Sequence, residues 1–477
     1  MCTRLLPAGA NEPEPRIVYF IYSLVMGLAA FLLTPYWLVR GRRHGKYFFN
    51  LLERLGFSFP ALAKLPAERA GAIWIHAVSV GEVLSGVPLA RQLKAAYPDR
   101  PLIVSTTTVT GQALACERLS FADAVIYFPL DWGFCVRRAF DAVRPALVLV
   151  LETELWPNFL RQAGQRRIPV LFVSGRISDR SFARYRKFFK VFGFFLRPLL
   201  RDALSQASAF LMQSERDAER IRALGAPAER VTVSGNLKYD SELPLPTPLS
   251  NWLEAEVKRS GRSPVIVAGS IVATEEPLAL IAFGTLQGEY RDAFLVLAPR
   301  KPEQFAAAAE YIDESHRKFI RRSALPIPGP TQIGGPSNGS LSSAPDSAIP
   351  DNTTVLLLDS IGELASLYRI ADGAFVGGSL VPSGGHNILE PAAFGKVPVF
   401  GPSMENFAEI ASRFVSAGAA IQVESPEDVG VAWIELFRNP ARMKEMSERA
   451  RSLVESSRGA TGRAFAKIAV HLNGATR

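Results

Sequence analysis

The feature that most constrains the fold of this chain is a regular alternation of short apolar runs with amphipathic segments. In the first half, apolar runs predict strands at 72–75, 102–104, 146–151, 170–173, 209–212 and 231–233. In the second half they predict strands at 265–268, 294–297, 355–358, 373–376, 397–400 and 420–423. Helical patterns such as 82–96 and 131–143 lie between them. Continuous apolar strands that alternate with helices indicate parallel sheets covered on both faces. The sequence therefore predicts an α/β protein with two doubly wound parallel-sheet domains.

Prolines mark the join between the two halves. Pro244, Pro246 and Pro248 punctuate a stretch without helical periodicity, which predicts a linker over 241–251 between domains at 40–240 and 252–477. Residues 325–351 are rich in Pro, Gly and Ser and are interpreted as a flexible insertion of the second domain. Because open parallel sheets bind ligands beyond the carboxyl ends of their strands, two such sheets facing each other would form a cleft. This architecture fits the GT-B fold, although the spacing alone also allows other two-domain α/β proteins.

An uncharged apolar segment at 17–39 precedes the first domain and follows a tail over 1–16. A run of about 20 apolar residues is long enough to cross a bilayer. Tyr36 and Trp37 suit a membrane interface, and four basic residues follow, Arg40, Arg42, Arg43 and Lys46. The sequence predicts a membrane anchor that either spans the bilayer or lies in its plane, with the rest of the chain in the cytoplasm. The alternative is a buried helix of the fold.

The net charge of +9 is concentrated in one segment, 176–201. This segment interleaves eight basic residues with seven aromatic ones, against Asp179 as the one acidic residue. Such a segment suits an anionic membrane interface, a single-stranded nucleic-acid channel or a helix packed on its aromatic face. With an anchor nearby, we favour anionic lipids and expect no nucleic-acid partner. Three cysteines without a Cys-x-x-Cys pair or zinc spacing favour a reducing compartment and no metal.

Three motifs of the first half carry candidate acceptor-side residues. Glu53 lies just after the anchor, where a carboxylate could take the proton of a hydroxyl, although such a Glu is more often a solvated helix charge. The strand-to-helix turn at 76–82 and the strand end at 151–158 lie where ligands bind, and tight turning or helix capping would explain them equally. The candidates in these two motifs are Ser79, Gly81, Glu82, Glu152 and Glu154.

Motifs of the second half suit a phosphate and a nucleoside. Ser270 and Arg300 each follow a strand, and a hydroxyl and a guanidinium can both hold a phosphate, unless these are ordinary surface turns. The glycines at 377–378 and 384–385 permit close backbone approach. A helix beginning near His386 would direct amides at an anion, and Glu390 could accept a hydrogen bond from ribose hydroxyls.

Together, these motifs resemble those of the 3-deoxy-D-manno-octulosonic acid (Kdo) transferases of lipopolysaccharide synthesis, glycosyltransferase family 30. The resemblance rests on Glu53-Arg54-x-Gly56, His76-x-x-Ser79-x-Gly81-Glu82, Glu152-Thr153-Glu154-Leu155-Trp156-Pro157-Asn158, Ser234-Gly235-Asn236-Leu237-Lys238-Tyr239-Asp240, Pro299-Arg300-x-Pro302-Glu303 and Gly377-Gly378-Ser379-x-x-x-x-Gly384-Gly385-His386-Asn387-x-Leu389-Glu390. It departs from the family at 271–276, Ile-Val-Ala-Thr-Glu-Glu, where members often carry His or Thr followed by a Gly-Glu pair.

The resemblance implies a GT-B fold, a CMP-Kdo donor and a lipid A precursor, lipid IVA, as the acceptor. It implies an inverting transfer without a metal or a cofactor, since CMP-Kdo is a substrate, at the cytoplasmic face of a bacterial inner membrane. Glu53 would be the general base for the glucosamine 6-hydroxyl. The donor would be bound by Lys238, Ser270, Arg300, Gly377, Gly378, His386, Asn387 and Glu390. Ser79, Gly81, Glu82, Glu152 and Glu154 would lie on the acceptor side.

Two other functions stay open. One is a different membrane-associated GT-B enzyme that uses a UDP-sugar, or a sugar-nucleotide epimerase, which a UDP requirement or metal dependence would favour. The other is a non-catalytic lipid- or nucleic-acid-binding membrane protein, which saturable lipid binding without CMP release would favour.

Overall fold

The computed structural model describes residues 15–44, 50–66, 71–241, 243–329 and 349–474. Residues 1–14 of the predicted tail, Lys46 and most of the insertion predicted over 325–351 lie outside them. The chain divides into two compact units, Met1–Ser241 with Ser457–Arg477, and Glu242–Ser456.

The first unit is built on a seven-stranded, all-parallel sheet. Its strands are β1 (Ala72–His76), β2 (Leu102–Thr106), β3 (Ala124–Tyr127), β4 (Pro145–Leu151), β5 (Val170–Gly175), β6 (Ala209–Met212) and β7 (Val231–Val233). Its helices before the second unit are α1 (Pro15–His44), α2 (Leu51–Arg54), α3 (Val80–Ala96), α4 (Val109–Arg118), α5 (Gly133–Val143), α6 (Pro157–Gln165), α7 (Asp179–Ser205) and α8 (Glu215–Leu224). The strand order is β3-β2-β1-β4-β5-β6-β7. The order reverses between β1 and β4, and such a reversal is where open α/β sheets bind ligands.

The second unit repeats this plan. Its strands are β8 (Val265–Ile271), β9 (Phe294–Pro299), β10 (Lys318–Arg321), β11 (Thr353–Leu357), β12 (Gly373–Val376), β13 (Pro398–Phe400) and β14 (Ile421–Gln422). Its helices are α9 (Pro248–Ser260), α10 (Glu276–Gln287), α11 (Phe305–Glu314), α12 (Leu364–Leu367), α13 (Leu389–Ala393), α14 (Ala408–Ser416), α15 (Pro426–Arg438) and α16 (Pro440–Ser456). The parallel order β10-β11-β9-β8-β12-β13-β14 reverses between β8 and β12. Separate apolar clusters cover the two faces of each sheet.

The prediction of two parallel-sheet α/β units is confirmed, and each predicted run overlaps a strand. Two strands were missed, β3 and β10. The first is only four residues long, and the second reads Lys-Phe-Ile-Arg at the edge of its sheet, where side chains stay partly exposed. An edge strand needs no continuous apolar run, so β10 carries little signal in the sequence.

The predicted boundary of the second domain at the C-terminus is wrong. The last described helix, α17 (Ala460–Gly474), belongs to the first unit. Its apolar positions Ala460, Ala464, Ile468 and Leu472 pack in the same cluster as the inner residues of β1 and β4. Asp240 binds the start of this segment, since its carboxylate accepts hydrogen bonds from the N–H groups of Gly459, at 2.6 Å, and Thr461.

The linker is also shorter than predicted. The sequence indicated a helix-free stretch up to 251, whereas α9 begins at Pro248. Thr247 and Ser250 form a reciprocal capping box at its start, with the Ser250 N–H donating to Thr247 Oγ1 at 3.1 Å. Proline at the first helical position needs no amide partner, so Pro248 starts this helix instead of interrupting it.

Helix α1 covers the segment predicted as an anchor, and part of it packs on the first unit. Val18 and Tyr19 are buried against Leu199 of α7. The Tyr19 hydroxyl donates to Asp202 at 2.9 Å, and the Tyr22 hydroxyl donates to Asp131 at 3.0 Å. Across the parts of the chain that the structure describes, no helix has the length and apolar character needed to cross a membrane. The membrane anchor stays a prediction.

Candidate functional site

Glu53 occupies a buried position at the end of β3. It lies on the single turn α2, and its side chain is only 8% exposed. The Tyr127 N–H donates to Glu53 Oε1 at 3.1 Å, which leaves the other carboxylate oxygen available. Burial raises the pKa of Glu53, while the Tyr127 N–H and the Arg54 charge act in the opposite direction. A carboxylate with a raised pKa is a stronger base than an exposed one.

Arg54 and Gly56 hold this turn in place. The Arg54 guanidinium lies 4.6 Å from the Tyr127 ring centroid and donates to the Thr107 carbonyl. Gly56 has a φ of 77°, and a Cβ there would approach the Cys135 carbonyl to 2.9 Å. The predicted motif therefore fixes Glu53 through contacts with the chain after β2, with β3 and with α5.

Ser79 precedes α3 at the end of the turn after β1, and Gly81 and Glu82 lie in the first turn of that helix. The Glu82 carboxylate accepts from the Val78 N–H at 2.7 Å and from Ser79 Oγ at 3.0 Å, so it caps the start of α3. Burial raises the pKa of Glu82 to about 8, and the negative charge of Glu152 adds to this shift. Gly81 is exposed with open space around it. The contacts of Glu82 are therefore those of a helix-capping residue.

Glu152 and Glu154 follow β4, across the switch point from Ser79. Glu152 has a φ of 56°, in the left-handed region, and its Oε1 accepts from Lys238 Nζ at 2.9 Å. Burial raises the pKa of Glu154 to about 7, helped by the charge of Glu152. The structure therefore brings Glu82, Glu152 and Glu154 to one end of the sheet. Lys238, predicted among the donor residues, lies with them in the first unit, and its role in donor binding stays a prediction.

The candidate donor residues of the second unit surround the switch point between β8 and β12. Ser270, with a φ of 58°, lies near the end of β8. His386 Nδ1 lies 2.8 Å from the Gly377 carbonyl, so this nitrogen carries the proton and donates. Burial lowers the pKa of His386, and the positive charge of Arg300 lowers it further, so the ring is neutral near pH 7.

The carboxamide of Asn387, the carboxyl group of Glu390 and the guanidinium of Arg300 complete this set of candidate donor residues. Asn387 Nδ2 donates to Glu390 Oε1 at 3.3 Å. Burial raises the pKa of Glu390, while Asn387 and then Arg300 oppose the shift. Arg300 is exposed, and its charge reaches both His386 and Glu390. The predicted helix begins at Leu389, not near His386, and has only five residues, so it offers no extended array of amides.

Two features of this site were not predicted. Glu275 is fully buried, and its carboxylate is bound by backbone amides of the glycine-rich loop after β12. The loop after β13 supports the second glycine pair, because Ser403 Oγ accepts from the Gly384 N–H at 2.9 Å and the Asn406 N–H donates to the Gly384 carbonyl at 2.8 Å. A Gly-Pro pair at 401–402, directly after a strand, was the available signal for this second loop.

Thr274 is strained at the point where the chain departs from the family pattern. It is exposed and has a φ of 75°, a conformation that a β-branched residue adopts at a cost of about 1–2 kcal/mol. We expect Thr274→Gly to raise the free energy of unfolding by about 1 kcal/mol, after the entropy cost of glycine. Urea unfolding measures this change. Ala273→Gly is the matched control, since its φ is ordinary, and an equal loss of stability in both variants would contradict the strain.

No group of three or more His, Cys, Asp or Glu side chains among residues 15–44, 50–66, 71–241, 243–329 and 349–474 is arranged to hold a metal ion. Metal independence stays a prediction, as do the cleft and the roles of the individual site residues.

Comparison with known proteins now defines the class and then the family. The Anabaena protein Alr3699/HepE in complex with UDP has the same two-unit, GT-B-like fold, with a TM-score of 0.53 at 12% identity over 85% of this chain and 100% of that one. Residues 50–241 match the family model described as 3-deoxy-D-manno-octulosonic-acid transferase (kdotransferase).

Two curated relatives extend this match over most of the chain. The 3-deoxy-D-manno-octulosonic acid transferase of Haemophilus influenzae is 35% identical, over 84% of this chain and 86% of the relative. The enzyme of the same name from Bordetella pertussis is 32% identical, over 93% and 97%. The chain therefore belongs to the Kdo transferase family and is a glycosyltransferase.

Proposed function

We propose that this enzyme transfers Kdo from CMP-Kdo to the 6-hydroxyl of a lipid A precursor, lipid IVA, with inversion and without a metal. The observation that carries this proposal is Glu53, a buried carboxylate with one free oxygen in a chain whose relatives are Kdo transferases. The acceptor hydroxyl attacks the anomeric carbon of Kdo while the bond from that carbon to the CMP phosphate oxygen breaks. Glu53 takes the hydroxyl proton, and CMP leaves with the bonding electrons.

The side chains of the second unit fit the leaving group. The transition state of a glycosyl transfer is oxocarbenium-like, so negative charge develops on the departing phosphate. Arg300 is exposed and supplies a fixed positive charge beside neutral His386. Ser270 adds a hydroxyl close to the same switch point. Fixed cationic and hydrogen-bonding side chains can stabilise a leaving monophosphate in place of a metal ion.

A direct assay tests this function. The purified enzyme is incubated with freshly made CMP-Kdo and tetraacylated lipid A precursor, with and without EDTA, and the lipid is analysed by mass spectrometry. We expect the lipid to gain the mass of one or more Kdo units, equally with EDTA. Product formed only from a UDP-sugar, or only without EDTA, would contradict the donor or the metal independence. Saturable lipid binding without product would favour the non-catalytic alternative.

We further propose that anionic lipids of the inner membrane, at its cytoplasmic face, are partners of the first unit. Helix α1 exposes apolar residues on the face that does not pack on the protein, including Phe20 and Phe31. Helix α7 exposes Phe188, Phe192 and Phe194, and its basic residues nearby are exposed as well, namely Arg186, Lys187, Lys190 and Arg197. Rings that enter the acyl boundary, with cations among the phosphates, are typical of helices lying in the plane of a membrane. Three other aromatic residues of α7, Phe182, Tyr185 and Phe189, pack against the core instead.

We expect Phe20→Ser, Phe31→Ser and Phe192→Ser together to weaken binding to vesicles that contain phosphatidylglycerol by about 1,000-fold or more, since each ring buried in lipid contributes about 1.5 kcal/mol or more. Co-sedimentation measures the effect. Val470→Ser on α17 is the control, because it removes an apolar side chain of equal exposure elsewhere on the unit. Unchanged binding of the triple variant would exclude this surface.

A further inference from the structure

The carboxylate of Glu275, an anion of the protein itself, is bound by a cluster of backbone amides. Its Oε2 accepts from the N–H groups of Val272, at 3.3 Å, and Gly378, at 2.5 Å, and its Oε1 accepts from those of Ser379 and Leu380, both at 3.0 Å. We call these four N–H groups the amide cluster. The side chain of Glu275 is completely buried. Burial raises its pKa, while the four N–H groups favour the charged form.

The amide cluster lies where an external ligand would be expected. It joins the chain after β8 to the chain after β12, on either side of the point where the strand order reverses. Backbone amides at such a point commonly bind the phosphate of a ligand. Here the carboxylate of Glu275 already occupies them. A donor phosphate must therefore be held by side chains nearby, of which Arg300 and Ser270 have the required chemistry.

The same loop sets the position of His386. The Gly377 carbonyl accepts from His386 Nδ1 at 2.8 Å, and the next residue, Gly378, is bound by Glu275. Gly378 has a φ of 70°, and a Cβ there would come within 2.5 Å of His386 Nδ1. The imidazole thus packs directly on the segment that Glu275 holds. A shift of this loop would move the His386 Nε2 atom, which is free to accept a hydrogen bond from a ligand.

We propose that Glu275 is a positioning residue of the donor site: it is the permanent anionic occupant of the amide cluster, fixes the loop that orients His386, and leaves the donor phosphate to side chains. This inference rests on the proposed CMP-Kdo donor. Glu275 acts through the loop and touches no substrate. Its removal should therefore weaken donor binding, while the chemical step at Glu53 continues at a similar rate once the donor is saturating.

The test uses the full-length enzyme and measures the Kd of CMP by calorimetry, together with the KM for CMP-Kdo and kcat. We expect Glu275→Gln to raise Kd and KM by about tenfold with kcat nearly unchanged, since an amide offers the cluster only one acceptor oxygen. Glu276→Gln is the matched control. Glu276 is the adjacent buried carboxylate, but its bond at 3.1 Å comes from Gln304 Nε2, away from the cluster.

Chemical rescue separates an anion requirement from general damage. Glu275→Ala empties the cluster, and we expect acetate to restore CMP affinity in a concentration-dependent manner, whereas neutral acetamide does not. Thr274→Gly can be combined with it to offset lost stability. Equal rescue by acetamide, or an unchanged Kd of CMP in both Glu275 variants, would overturn the role of Glu275 and leave the proposed function in place. Wild-type enzyme that does not bind CMP would overturn the proposed function as well.

Discussion

Glu53→Gln is expected to lower kcat by about 10²–10⁴-fold, the usual contribution of a positioned general base. The substitution keeps the shape of the side chain and can still accept the Tyr127 N–H, so the turn α2 should remain folded. It removes only the capacity to take a proton. Because the substitution leaves the candidate donor residues of the second unit unchanged, the Kd of CMP should not change.

The pH dependence of the wild-type enzyme gives a second readout of this prediction. A general base works when deprotonated, so activity falls as the pH drops through its pKa. Burial raises the pKa of Glu53 above its usual value of 4.5, and the acidic limb of kcat/KM should therefore lie above that value. This limb should be absent from the residual activity of Glu53→Gln.

Glu117→Gln is the matched control for this experiment. Glu117 is an exposed carboxylate on α4 that forms an ion pair with its neighbour Arg118. Its loss should change kcat by less than about twofold. Normal turnover by Glu53→Gln would remove Glu53 as the base while leaving the transfer reaction in place, and Glu152 would then be the next carboxylate to test.

Arg300→Met is expected to raise the Kd of CMP by about 10- to 100-fold, since a hydrogen bond to a charged group contributes about 1.5–3 kcal/mol. Arg300 extends from the end of β9, and its backbone N–H is fixed by the Ile271 carbonyl at 2.7 Å. Arg300→Lys should recover only part of the affinity, because an ammonium group cannot bind a phosphate bidentately.

Arg291→Met is the control for Arg300. Arg291 is also exposed, but it precedes β9 and so lies at the opposite end of that strand. The two substitutions remove the same charge from the same unit. If both weaken CMP binding equally, the effect is a long-range change in net charge, and Arg300 does not contact the phosphate.

The strands and the sheet class could be predicted because a buried parallel strand is a continuous apolar run whatever lies around it. The placement of α17 could not be predicted in this way. The local pattern of its apolar residues would suit packing on either unit. The contacts that place it on the first unit join Asp240 to the residues at 459–461, which are more than 200 positions away in the sequence.

The site residues likewise differ in whether their contacts come from neighbouring residues or from residues far away in the sequence. Glu82 was found because the strand-to-helix turn at 76–82 is a local motif, although its contacts prove to be capping ones. Glu275 was noted only as a departure from the family pattern, since its partners lie more than 100 residues away. The ion pair between Lys238 and Glu152 joins residues 86 positions apart, so no local pattern indicates it, and the donor role of Lys238 stays a prediction.

The coupling between donor cleavage and lipid modification tests the central claim most directly. In one reaction with CMP-Kdo and the lipid A precursor, released CMP is measured by chromatography and Kdo-modified lipid by mass spectrometry. The account predicts one CMP for each Kdo attached, and Glu53→Gln should slow the formation of both products together, by about 10²–10⁴-fold. CMP release that continues without lipid modification would contradict a transferase in which Glu53 activates the acceptor hydroxyl.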